Sequence, residues 1–225
     1  MLRVGTGELP ETLRLARPGA FVAFAKRDVV VDGYEEAVRA ARAEGFDAVV
    51  RLAGGRAAIF HEDTIELGHA VPDPEPRERI RERFERTAVR IAAALRSLGL
   101  DARVGEVAGE YCPGRYSVNA RSTSKIAGVG QRVVAGGSHT GVVLVVAGEE
   151  RIRRALSPVY AALDLDWRPE VTGSVAGEKG TADWTTVRDA LADQYARDYE
   201  VVEAELDDDT LELARRLAPE HRTPE

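Results

Sequence analysis

A single cysteine, Cys112, occurs in the 225-residue chain, and thirteen positions later Lys125 sits among small residues in SKIAGVG. An ionised thiol is a strong nucleophile, and a cation beside it favours the thiolate and can hold the oxyanion formed when a carbonyl is attacked. A free cysteine is also a common small core residue. The turn-forming Pro113-Gly114 that follows Cys112 favours a loop edge instead, where the sulfur is accessible. Most lysines are solvated surface groups, yet the Ala, Gly and Ser residues around Lys125 leave room beside it for something other than protein. Cys112 and Lys125 are therefore the candidate catalytic pair.

A second group lies in RLAGGRAAIFHEDT. Gly54 and Gly55 read either as a turn between two strands or as a place where a ligand chain passes close to the backbone. Arg51, Arg56 and His61 put charge around them, although His61 also fits a satisfied structural histidine. His139, at the mouth of the apolar run GVVLVV, carries the same two readings. Other chemistries lack their patterns: GVGQRV misses the third glycine of a dinucleotide fingerprint, and no Gly-Lys-Ser/Thr completes a phosphate loop. Four scattered histidines with one cysteine give no zinc spacing, so no metal is expected.

These residues must be positioned by strands and helices that the hydrophobic pattern lays out. FVAFA, DAVVRL and RAAIF read as strands, with YEEAVRAARAEG between the first two as a helix facing inward through Tyr34, Ala37, Val38 and Ala41 and stopped by Gly45. PDPEPRERIRERFERTAVRIAAALRSLG predicts a long amphipathic helix with Ile80, Phe84, Ala88, Ile91, Leu95 and Leu98 on one face. Its arginines alternate with Glu78, Glu82 and Glu85, which predicts a solvated, salt-bridged surface, or secondarily a docking patch for an acidic partner. RYSVNA and KIAGVGQRVV predict two strands, and GVVLVV a strand buried on both faces. Helices are expected near 149–163, 182–199 and 208–217, with YEVVEAEL as a late strand. The pattern predicts an α+β fold of mixed sheets flanked by helices: one domain over residues 1–218 and a frayed tail over 219–225.

Composition sets the outer bounds. Hydrophobic residues make up 44% and charged residues 31%, values of a globular chain able to bury a core, and the net charge of −7 disfavours nucleic acid as a partner. No apolar run approaches the roughly 20 residues needed to span a membrane. With one cysteine and no apolar leader in MLRVGTGELPETLRL, a reducing cytoplasm is the expected location.

Taken together, the segments resemble the biotin/lipoate A/B protein ligase superfamily. RLAGGRAAIFH resembles its Arg-x-x-Gly-Gly-x-Ala strand-turn-strand, and KIAGVGQR its lysine-bearing motif ending in Gln-Arg, which brings in Gly128 and Gln131. SHTGVVLVV stands in the place of its histidine-led strand. GEYCPGRYSV is similar to the cysteine-containing segment of the octanoyl amidotransferase branch. The resemblance implies an acyl tunnel walled by Gly54, Gly55 and Gly128, with Lys125 bonding the acyl carbonyl. Arg51, Arg56, His61, Gln131 and His139 would contact substrate, and no accessory domain is expected. It implies passage of an octanoyl or lipoyl group through a Cys112 thioester to a lysine of a lipoyl carrier domain. The donor would be an acyl carrier or an acylated lipoyl protein, and no cofactor would be needed. HEDTIELGHAV departs from the asparagine-containing run of many ligases, which leaves donor and acceptor open. Two alternatives stand beside this: a lipoate ligase using ATP and Mg with Cys112 structural, and a non-catalytic subunit that binds an acyl group or carrier.

Overall fold

The structure is a computed structural model and describes residues 1–224. A short helix α1 (Leu2–Gly5) and strand β1 (Thr12–Ala16) lead into β2 (Phe21–Ala25), α2 (Tyr34–Ala43), β3 (Asp47–Arg51), β4 (Ala58–Phe60) and β5 (Thr64–Pro72). The long helix α3 (Ile80–Ser97) precedes β6 (Ala102–Val104), β7 (Val118–Ala120), β8 (Ser124–Val134) and β9 (Gly137–Val145). Helices α4 (Glu149–Ala162), α5 (Val175–Lys179), α6 (Trp184–Ala196) and α7 (Asp208–Leu217) follow.

The strands form two sheets. Six are arranged β1-β5-β9-β8-β7-β6 with antiparallel neighbours, and three are arranged β3-β2-β4. The β-branched run GVVLVV supplies β9, which pairs with β5 on one side and β8 on the other, so a continuous apolar stretch is buried as expected. In the smaller sheet β2 and β3 are parallel, which demands a crossover, and α2 provides it. Its buried face is Tyr34, Ala37, Val38 and Ala41, as the three- and four-residue spacing predicts, and Gly45 ends it at φ 80°.

Each sheet has its own core. Helices α3 and α6 cover the six-stranded sheet through Ile91, Leu95 and Leu191 against Ile65, Ile126 and Leu144. Helices α2 and α4 cover the small sheet through Val38, Leu156 and Val159 against Val22, Phe24 and Ile59. The two helices meet closely at Gly33, where a Cβ would stand 1.7 Å from the carbonyl oxygen of Ala162. This is the mixed α+β architecture the pattern predicts.

Several elements differ from expectation. The long helix starts at Ile80, after the proline-rich segment; Ile80 is exposed and Phe84 stacks on Tyr116. Its arginine face is only partly solvated. Arg83 is buried against Asp73 at 2.6 Å, and Arg90 pairs with Asp198 at 2.5 Å beneath Tyr195 and Tyr199. Both carboxylates come from outside the helix, so the helix sequence carries no sign of them. YEVVEAEL forms no strand: it pairs with neither sheet, and Val201, Val202 and Leu206 are exposed. Strands β1, β5 and β6 were not signalled, because TIELGHAVP mixes Glu66 and His69 into a strand that alternates faces. The segment expected to fray from residue 219 lies along the free edge of β3. There His221 Nδ1 is 2.6 Å from the carbonyl of Val50, Arg222 bridges to Val49, and the Thr223 hydroxyl donates to Ala48 at 3.3 Å.

Candidate active site

An open cavity of about 770 Å³ lies between the two sheets. Phe21, Ala23, Val50, Ala58 and Phe60 line it from the small sheet, and Leu67 and Val142 from the large one. Cys112, in the loop between β6 and β7, stands on its wall with Gly54, Gly55, Gly128, Arg51, Gln131 and His139. Most of the residues singled out by type and spacing thus converge on one space.

Cys112 is held in an unusual backbone conformation, φ 42°, which a side chain with a Cβ seldom adopts. The constraints lie on both sides of it. Its N–H donates to the Tyr160 hydroxyl at 2.8 Å, and that hydroxyl donates to the Ala57 carbonyl at 2.9 Å. Burial raises the Tyr160 phenol well above its ordinary pKa, so it stays a neutral donor. The carbonyls of Tyr111 and Cys112 accept from Lys125 Nζ at 2.8 and 2.9 Å. The third acceptor for that ammonium is Glu110 Oε1 at 3.0 Å, and both side chains are essentially inaccessible, 1% and 0%.

An ammonium has three protons, and these three acceptors satisfy all of them. Lys125 therefore sits one layer behind the cavity wall, with its Cε beside Gly128, where a Cβ would approach to 3.4 Å. The family resemblance implies that Lys125 bonds the acyl carbonyl; in the structure its ammonium lies under the Cys112 loop, bonded to the Tyr111 and Cys112 carbonyls. Glu110 binds the same loop from within. Its Oε1 also accepts from the Ser117 hydroxyl at 2.5 Å and the Gly114 N–H at 3.0 Å, and Oε2 from the Val107 N–H at 2.9 Å.

The sulfur has its own donors. Sγ accepts from the Arg56 N–H at 3.2 Å and lies 3.4 Å from Arg51 Nη2. Gly55, at φ 106°, is what lets them meet: a Cβ there would stand 2.7 Å from both Sγ and Arg51 Nη2. The sequence leaves two readings for the glycine pair, a turn between strands and room for a ligand chain. Gly54 does open onto space, whereas the room at Gly55 is taken by the guanidinium and the sulfur. The Arg56 guanidinium turns away to Asp28 at 3.2 Å, a carboxylate with no exposure that also accepts the Ala25 N–H.

The remaining residues divide. Gln131 lies on the wall and accepts from Arg83 at 2.9 Å, which ties β8 to α3. His139 also faces the cavity, in space left by Gly68 and Gly141. Burial, then the nearby Met1 ammonium, His69 and Arg14, push its pKa down to about 4. His61 does not reach the cavity. It is fully buried beside Gly148, its Nδ1 accepts the Asp63 N–H at 3.2 Å, and its Nε2 has no hydrogen-bond partner among the described residues. Glu110, Tyr160 and Asp28 were missed. Glu110 stands two residues before the cysteine and was legible as a charge in a turn, but Tyr160 and Asp28 come from distant segments with no local signal. His221, from the segment expected to fray, also lines the cavity.

With this geometry in place, comparison with known proteins defines the class. The fold is shared with lipoate-protein ligase A in its crystal structure bound with ATP, at 19% identity and a TM-score of 0.73 over 93% of this chain and 81% of that one. The lipoyl protein ligase A/B catalytic domain matches residues 2–172, and the chain belongs to that family. It is 30% identical over 153 residues to the octanoyl-GcvH:protein N-octanoyltransferase of Geobacillus kaustophilus, covering 68% of this chain and 54% of that protein. It is 25% identical to the lipoyl-GcvH:protein N-lipoyltransferase of Listeria monocytogenes, over 68% of this chain and 55% of that protein. The chain thus spans about half the length of the curated relatives it matches.

Two outcomes are expected. Removing one partner of a buried pair strands the other charge, so Glu110→Gln and Lys125→Met should each destabilise the fold by roughly 3–5 kcal/mol, and the double variant by clearly less than the sum. Denaturant unfolding of the four proteins checks this; additive losses would show that the pair is not coupled. The second outcome concerns pH. Because the folded-state pKa of His139 lies below that of the unfolded chain, its contribution to stability is full above about pH 6.5 and is lost as pH falls toward about 4. Unfolding midpoints across that window should fall less steeply for His139→Gln than for the parent.

Proposed function

We propose that the chain is an acyltransferase that moves an octanoyl or lipoyl group through a thioester on Cys112 to a lysine amine of a lipoyl carrier domain. The observation that carries this reading is the sulfur itself, held on the wall of an apolar cavity with two N–H donors aimed at it. In the first step Sγ attacks the acyl carbonyl, the new C–S bond forms, and the donor's leaving group departs. In the second the acceptor amine attacks the acyl-cysteine, a C–N bond forms, the C–S bond breaks, and the amine gives up one proton. When a thioester is the donor, the first step exchanges like for like and has little net free-energy change.

Lys125 serves in this scheme as a positioning residue. Its ammonium fixes the carbonyls that flank the nucleophile and so maintains the left-handed turn that presents the sulfur. The names of the relatives support octanoyl or lipoyl as cargo and a lipoyl carrier as partner. Transfer by this route draws on no nucleotide. The alternative, an ATP- and Mg-dependent ligase, would use an adenylate and give Cys112 no covalent role, while a non-catalytic subunit would bind the carrier without turnover.

Intact-protein mass spectrometry tests the scheme. After exposure to an octanoyl thioester, an octanoylated carrier, or octanoate with ATP, one octanoyl group should appear from a carrier or thioester donor and be absent in Cys112→Ser. Label that persists in Cys112→Ser overturns the nucleophile, and pyrophosphate release with free acid supports the ligase. Burial contributes about 0.8 kcal/mol per CH₂, so octanoyl should be preferred over butanoyl by roughly 100-fold in kcat/KM. Equal rates for the two chains would show that the cavity does not hold the acyl tail.

A further inference from the structure

The reading above leaves open which group stabilises the negative charge, first on the sulfur and then on the acyl oxygen. Lys125, the cation that the sequence points to, has all three protons committed to Glu110, Tyr111 and Cys112. The Arg56 side chain is committed to Asp28. Arg51 is the charged side chain that touches the sulfur, with Nη2 3.4 Å from Sγ. The same nitrogen donates to the Arg56 carbonyl at 2.7 Å, which fixes the plane of the guanidinium.

We propose that Arg51 is a catalytic residue: with the Arg56 N–H it holds the Cys112 sulfur as a thiolate, and it then donates to the acyl oxygen as that oxygen becomes negative. The proposal rests on the Cys112 acyl-enzyme reading and assigns its missing electrostatic group. Two glycines make the slot. A Cβ at Gly55 would collide with Nη2, and one at Gly130 would stand 3.6 Å from Nη1. The guanidinium also has capacity in reserve, because its Nε is buried and has no hydrogen-bond partner among the described residues. An unpaired buried donor costs free energy at rest and is repaid when an acceptor arrives.

In the proposed step the thiol gives its proton to solvent before attack, and the charge left on sulfur is shared with Arg51 and the Arg56 N–H that contact it. When Sγ attacks, its lone pair becomes the C–S bond and the carbonyl π pair moves to oxygen, so negative charge leaves the sulfur and appears on the neighbouring atom. A guanidinium already in contact with the sulfur needs only a small shift to follow it, and it never gives up a proton of its own. Collapse of the oxyanion re-forms the carbonyl and breaks its bond to the donor, whose sulfur leaves as a thiolate or whose nitrogen takes a proton from solvent as it leaves. In the second half-reaction the acceptor amine attacks the acyl-cysteine, its extra proton passes to solvent, and Cys112 leaves as the thiolate beside Arg51.

The lone cysteine makes the test clean, since any thiol label seen by intact mass is on Cys112. Alkylation by iodoacetamide near neutral pH reads the thiolate with no acyl donor present, and loading from an octanoyl thioester reads the oxyanion step. Arg51→Met should slow alkylation by roughly 10-fold or more and loading by a further factor, on the order of 10²–10³ in all, as for loss of an oxyanion donor. Arg51→Lys keeps the charge but not the planar fork, so it should recover most of the alkylation rate and little of the loading rate. If Arg51→Met fails to fold by circular dichroism, Arg51→Lys decides. Alkylation and loading at parental rates in the folded variants would overturn the proposal. A parent chain that alkylates in an Arg51-dependent way yet never loads from any acyl donor would instead overturn the acyltransferase reading and leave the thiolate contact standing.

Discussion

The site depends on one buried ion pair. The ammonium of Lys125 and the carboxylate of Glu110 lie 3.0 Å apart with almost no solvent contact, and between them they bind the loop from Val107 to Ser117 at five further points. A pair withdrawn from water this completely is weak evidence for stability, because desolvation offsets much of the attraction. What it supplies is geometry. A non-glycine residue at positive φ persists only where its surroundings over-determine it, and here a lysine, a tyrosine hydroxyl and a carboxylate do so together. The strain falls on the residue whose side chain is the candidate nucleophile.

The two sheets divide the work. The six-stranded sheet supplies Lys125 and Gln131 from β8 and His139 from β9, where His139 is paired on both sides, with Ala70 and Arg132. The three-stranded sheet supplies Arg51 at the end of β3 and, through the glycine turn that follows, the Arg56 N–H. The Cys112 loop closes against both, so the sulfur meets donors from the small sheet while its backbone is held from the large one. Small residues, Ala23, Ala58, Gly128 and Gly130, keep the space between the layers open where larger side chains would fill it.

Local patterns showed much of this and not the rest. The helix over residues 34–43 and the buried strand of GVVLVV are legible because periodicity and β-branching are properties of a single segment. Cys112, Lys125, Arg51 and the glycine pair stood out by type and setting. Which way each side chain turns is a tertiary property that no single segment shows. Lys125 in a small-residue run looks like a cation facing a ligand, but Glu110 captures it from the opposite side. His61 and His139 look alike in sequence, each at the end of an apolar strand, yet one is sealed under Gly148 and the other faces the cavity. YEVVEAEL has strand composition and pairs with no strand, while TIELGHAVP has a poor strand pattern and two partners, β1 and β9.

The solitary cysteine has a consequence beyond transfer chemistry. On the proposed reading, in which Arg51 holds the sulfur as an anion on the cavity wall, Cys112 is also the sulfur that peroxides reach first. Proteins that tolerate such oxidation usually keep a second thiol nearby to trap the sulfenic acid as a disulfide. These 225 residues hold no second cysteine, so on that reading recovery of an oxidised Cys112 rests on thiols supplied from outside them, and the redox state of the surroundings governs it.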